Sequence, residues 1–147
     1  MYDTILVPTD GSRDARGAIE EAFDLAERLD ASVHLLYVLD VGASYPAEFA
    51  SGAFLEALER EGEDHLAELA ADGEERGLEV VTAVRDGTPH REILEYAEGA
   101  PVDLIVMGTR GRRGIDRVLL GSVTERVVRL ADVPVMTIRR RENPEEE

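Results

Sequence analysis

A chain of 147 residues, 44% of them hydrophobic, has the material for one domain around a single core. Thirty-two acidic residues against sixteen basic ones give a net charge of −16, a field that repels nucleic-acid backbones and anionic membrane surfaces. The absence of cysteine, and of any lysine among the basic residues, excludes disulfides, thiol catalysis, iron–sulfur and thiolate zinc sites, a Walker lysine and Schiff-base chemistry.

The chain enters an apolar run almost at once, with no basic flank and no long apolar stretch, so we expect no signal peptide, no membrane span and a cytoplasmic protein. Thr4-Ile5-Leu6-Val7-Pro8 is short and continuously apolar, the mark of a strand buried on both faces. Thr9-Asp10-Gly11-Ser12 follows as a turn, with Ser12 placed to cap a helix. Ala15, Ala18, Ile19, Ala22, Leu25, Ala26 and Leu29 then recur at helical spacing. Val33 to Leu39 is a second buried strand, and a looser stretch from Asp40 to Ser51 leads to a second helix. That helix turns Leu55, Leu58, Leu66 and Leu69 inward, with Gly73 and Gly77 at its exit.

The third strand is expected over Glu79–Val84. Thr88 as cap and Pro89 as first residue open a helix carrying Ile93, Leu94 and Ala97. Asp103 to Met107 is a fourth strand; Leu120, Val123, Val127 and Leu130 stripe a last helix; Val133 to Ile138 is a fifth strand. We expect one domain over 1–141 and an acidic tail over 142–147, with Arg139, Arg140 and Arg141 pairing with the tail glutamates or supporting a dimer seam. Strands alternating with helices mean right-handed crossovers and a parallel sheet covered on both faces. Such sheets bind ligands beyond the carboxyl ends of their strands, where strand order reverses. The loops after Val7, Leu39 and Met107 are therefore the candidate site.

The strongest local signal lies in the third of these loops. Gly108-Thr109-Arg110-Gly111-Arg112-Arg113-Gly114-Ile115-Asp116-Arg117 sets four arginines against one aspartate in a chain that is otherwise acidic. Its glycines permit close backbone approach, and it leads to a helix opening at Gly121-Ser122, where free amides and the helix dipole favour an anion. These features fit a nucleotide polyphosphate, or a solvated loop whose arginines pair with the surplus acids.

The spacing Gly108-x2-Gly111-x9-Gly121-Ser122 resembles the nucleotide-binding signature of the universal stress protein family. Further landmarks stand in order: Ile5 to Ser12, Leu36 to Asp40, Gly87 to Ile93, Asp103 to Gly108, and Pro134-Val135-Met136. The resemblance implies an α/β, Rossmann-like fold with five parallel strands in the order 3-2-1-4-5 and helices on both faces. It further implies an adenine nucleotide at the strand ends and a homodimer formed through the last strand. Position by position, it gives Val38 the adenine, through backbone groups; Pro8, Thr9 and Asp10 the ribose and inner phosphate; Met107 and Gly108 the floor beneath the sugar. Gly111, Gly121, Ser122 and Val123 present amides to the phosphates, and Arg110 sits inside the signature. ATP with Mg2+ or Mn2+ held through its phosphates is the implied cofactor.

Asp10 could instead brace the turn, and Ser122-Val123-Thr124-Glu125 also reads as a capping box, with Glu125 reaching back to the Ser122 amide. His34, His65 and His90 are too scattered for a metal triad; the first two read as packing residues and the third as a cap or surface residue. The resulting function classes are an ATP-binding regulatory module with negligible turnover, a slow ATPase with Asp10 or Asp116 as the only candidate bases, and a nucleotide-independent dimeric scaffold. The lysine-free acidic surface also points to adaptation to a salty interior, where self-repulsion is screened to about 3 Å at molar salt. We expect the melting temperature to rise from dilute buffer to molar KCl; an unchanged value would refute salt adaptation.

Overall fold

The computed structural model describes residues 2–49, 51–109 and 121–139. Its elements are β1 (Thr4–Thr9), α1 (Arg13–Leu29), β2 (Ser32–Leu39), α2 (Gly52–Glu75), β3 (Val80–Asp86), α3 (Pro89–Gly99), β4 (Leu104–Gly108), α4 (Ser122–Leu130) and β5 (Val135–Ile138). Two short helical turns, Val41–Ser44 and Ala47–Phe49, occupy the stretch before α2. The strands form one parallel sheet in the order β3-β2-β1-β4-β5, as expected.

Side-chain alternation along β1 shows how the layers are built. Ile5 and Val7 point to one face, among Ala18, Ile19, Ala22 and Phe23 of α1 and Leu66 and Leu69 of α2. Leu6 points to the other, among Ile93 and Ala97 of α3 and Val127 of α4. Ile5, Leu6 and Val7 are all fully buried, which is why the run carries no polar residue. At the amino edge of the sheet, the Asp103 carboxylate accepts the amides of Asp3 and Thr4 at 2.9 and 3.0 Å, and the Asp103 amide donates to the Thr4 carbonyl at 2.9 Å. This clamp sets β4 beside β1, the point where strand order reverses.

Several boundaries differ from the sequence expectation, each for a physical reason. β3 runs on to Asp86 because Arg85 and Asp86 pair with Val38 and Leu39 at a sheet edge that tolerates charge. β5 begins after Pro134, which offers a carbonyl to the Ile105 amide at 3.0 Å but has no amide of its own. Gly73 does not mark the exit of α2. It is buried within the helix, where an added Cβ would stand 2.7 Å from Val80 Cγ2 and 3.0 Å from Phe23 Cζ. Gly77, at φ +82°, makes the turn into β3. Arg76, just past the helix, ion-pairs with Asp24 and Glu27 of α1 and lies over the Phe23 ring, tying the two helices together.

The close approach at Gly73 predicts that Gly73→Val overpacks the α1–α2–β3 junction. Urea unfolding should show a loss of about 1–3 kcal/mol with an unchanged m-value; full wild-type stability would show that the helix has room to move.

Candidate functional site

The turn after β1 is folded by three polar side chains. Thr9, buried at the end of the strand, accepts the Gly11 amide on Oγ1 at 3.2 Å; Asp10 accepts the Ser12 amide on Oδ1 at 2.9 Å; Ser12 caps α1 by accepting the Ala15 amide at 3.2 Å. Gly11 takes φ +82°, which lets the chain reverse without a Cβ penalty. Asp10 therefore braces the turn, one of the two roles open to it from sequence. Pro8 is buried beside Leu36 in the β1–β2 register.

Val38 comes from the end of β2. The Ser32 amide bonds to Asp3 of β1 and the Val33 amide to Glu79 of β3, so even-numbered residues of β2 turn their backbone groups toward β1. The β1–β2 register stops at Thr9 opposite Tyr37, so the Val38 carbonyl points past the last residue of β1 into the crevice. Its side chain packs beneath, against the Leu6 side of the core.

Met107 and Gly108 end β4, both buried and paired with Thr137 and Ile138. From there the chain runs through Arg110 and Gly111, which lie outside the described residues, as do Asp116, Leu120 and the segment 140–147. It returns at Gly121. The Gly121 amide donates to the Thr109 carbonyl at 2.6 Å, and the Thr109 amide to the Ile138 carbonyl at 3.2 Å. Buried Thr124, in the first turn of α4, donates from Oγ1 to the Gly108 carbonyl at 2.8 Å. Two hydrogen bonds thus fix the start of α4 against the end of β4. Thr124 has no distinctive sequence signal, because its partner is a backbone atom that only the fold brings near.

The capping box does not form. Gly121, not Ser122, is the residue before the helix, no side chain among the described residues caps it, and Glu125 turns along the helix to Arg129 at 3.4 Å. Gly121 donates its own amide to Thr109, so the first-turn amides directed out of α4 are those of Ser122, Val123 and Thr124. Val123 anchors this turn by packing its side chain into the core.

Electrostatics follow the same edge. Partial burial, and then the fields of Arg126, Arg91 and Arg129, hold His90 below the ordinary histidine pKa. His34 is instead a packing residue: its Nδ1 meets the Tyr96 hydroxyl at 2.7 Å, and burial lowers its pKa while raising that of Tyr96. His65 packs edge-on to Tyr37. Among the described residues no group of three His, Cys, Asp or Glu side chains is arranged to hold a metal ion.

A family model described as the universal stress protein family matches residues 1–139. The chain belongs to that family. A universal stress protein of Methanocaldococcus jannaschii, MJ0531, is 40% identical over 142 residues, spanning 95% of this chain and 84% of that protein. The solved structure of MJ0577, a universal stress protein of the same organism, superposes with a TM-score of 0.88 at 31% identity, covering 97% of this chain and 99% of that one. A universal stress protein solved in complex with cAMP superposes with a TM-score of 0.72 at 26% identity, over 93% and 97% of the two chains. No helix among the described residues of this family member is long and apolar enough to cross a membrane.

The Thr124 bond predicts a local cost. Thr124→Val keeps the shape but strands the Gly108 carbonyl, so thermal or urea unfolding should lose about 1–3 kcal/mol, with Thr124→Ser losing less. Equal stability in all three proteins would remove the bond from the account.

Proposed function

We propose that this universal stress protein binds an adenine nucleotide, ATP with Mg2+ or Mn2+, at the carboxyl edge of its sheet and acts as a nucleotide-responsive regulatory protein with little or no turnover. The observation that carries this reading is the first turn of α4, which no side chain among the described residues caps. It follows β4 at the point of strand-order reversal, where a helix N-terminus is a ready anion site. The cAMP complex of a family member supports an adenine nucleotide as ligand.

On this reading the Val38 backbone meets the adenine edge, and Pro8, Thr9 and Asp10 line the ribose and inner phosphate. Met107 and Gly108 form the floor. The amides of Ser122 and Val123, with Gly111 and Arg110 from the intervening loop, take the phosphates. Gly121 contributes by being small and by fixing the turn to Thr109. The described donor set fits such a ligand: main-chain amides, one hydroxyl, and glycine where the backbone must approach. On the same reading the cation is held through the phosphates.

Slow hydrolysis is the less favoured reading: of its two candidate bases, Asp10 accepts the Ser12 amide in the turn, and Asp116 lies outside the described residues. We further propose a homodimer through β5, an edge strand whose Val135 and Met136 are only half-buried, in a cytoplasmic setting.

Protein purified from its host, denatured and analysed by mass spectrometry, should release an adenine nucleotide. Calorimetry with Mg-ATP should give a Kd on the order of micromolar, about −8 kcal/mol, with no steady phosphate release. The Gly121 backbone, at φ −60° and ψ 155°, is accessible to valine, so Gly121→Val should keep the fold while obstructing the phosphate path and abolishing binding. Unchanged ATP affinity in that variant would refute the phosphate assignment, and sustained hydrolysis would favour the enzyme reading.

A further inference from the structure

The two layers of helices do not cover the sheet equally. On the α1–α2 side, Val80 and Val84 of β3 pack into the core. On the other side, α3 lies over the β2 face, where its Tyr96 meets His34. There the outer strand is left open: Val81 is 37% exposed, Ala83 half-buried, and Arg85 reaches the Tyr96 ring, 5.6 Å from its centroid. Between strand and helix runs a cleft of about 420 Å³ lined by Arg85, Glu92, Glu95, Tyr96, Gly99 and Ala100.

The backbone of β3 is open as well. Among the described strands it pairs with β2 alone. The Val33 amide bonds to Glu79, and the Gly87 amide to Leu39, so odd-numbered residues of this strand face β2. By alternation, the N–H and C=O groups of Val80, Thr82 and Val84 point away from the sheet. A long, unpaired edge with donors and acceptors exposed is a template for an added strand.

We propose that the β3 edge and its cleft form a docking groove for an extended segment of a partner protein carrying basic side chains at alternate positions. Main-chain pairing with Thr82 and its neighbours holds such a segment in register. Side chains on one face then enter the cleft, where Glu92 and Glu95 meet cationic groups. Exposed Glu79 and Asp86 stand at the two ends of the edge, and the one cation in the lining, Arg85, is stacked on Tyr96. The local acids thus select a basic strand, and a second β3 edge and cleft, carrying the same Glu79, Asp86, Glu92 and Glu95, would meet like charge. The groove lies at the opposite end of the sheet from β5 and does not depend on nucleotide binding.

The probe is a fluorescein-labelled hexapeptide of alternating arginine and valine, followed by anisotropy in moderate salt, with a glutamate–valine hexapeptide as control. Wild-type protein should bind the first and not the second. Thr82→Pro removes an outward donor without touching the β2 ladder, so it should weaken binding by about tenfold or more while melting temperature and ATP affinity stay unchanged. Glu92→Arg with Glu95→Arg should weaken the arginine peptide by a similar factor and admit the glutamate peptide. If Thr82→Pro fails to fold, the charge-reversed protein decides. Absence of binding to wild type, equal binding to Thr82→Pro, or a Thr82→Pro change in self-association instead of peptide affinity would each overturn the proposal.

Discussion

Everything in this molecule depends on burying β1 from both sides. Ile5, Leu6 and Val7 are fully enclosed, and a parallel strand so enclosed needs helices on each face, hence crossover connections that all leave from one edge. That edge collects the strand ends, the turns that follow them and the N-termini of the next helices. The crevice is therefore a consequence of the core.

The Asp103 clamp and the Thr124 bond mark the two ends of the same constraint. At the amino edge, Asp103 holds β4 against β1 through the amides of Asp3 and Thr4. At the carboxyl edge, Thr124 and Gly121 draw α4 onto Gly108 and Thr109. The first sets where strand order reverses; the second aims the open turn of α4 at that reversal. Among the described residues, Asp10 serves the turn and His34 serves packing.

Much of this was legible in the residues. Apolar runs marked the strands, and the spacing Gly108-x2-Gly111-x9-Gly121-Ser122 carried the family, which the match over residues 1–139 shows. Ser12 and Pro89 occupy the helix-start positions their chemistry favours. What the residues concealed was long-range. Asp103 finds partners about a hundred positions away, and Thr124 bonds a backbone atom, so neither leaves a local pattern. Gly73 looks like a helix stop until Phe23 and Val80 are seen to crowd it. The capping box failed for a similar reason: Gly121 is pinned to Thr109, which moves the helix start by one residue and leaves Glu125 to Arg129. Site residues Arg110 and Gly111 lie outside the described residues, so their part rests on the family signature alone.

The central claim is that main-chain amides at the start of α4, set beside the end of β4, hold the polyphosphate of a nucleotide. A crystal structure of the protein grown with Mg-ATP addresses it most directly. The account predicts phosphate oxygens within hydrogen-bond distance of the Ser122 and Val123 amides and adenine at the Val38 backbone. A nucleotide held by side chains elsewhere on the surface, or a crevice that remains empty at saturating Mg-ATP, would contradict it.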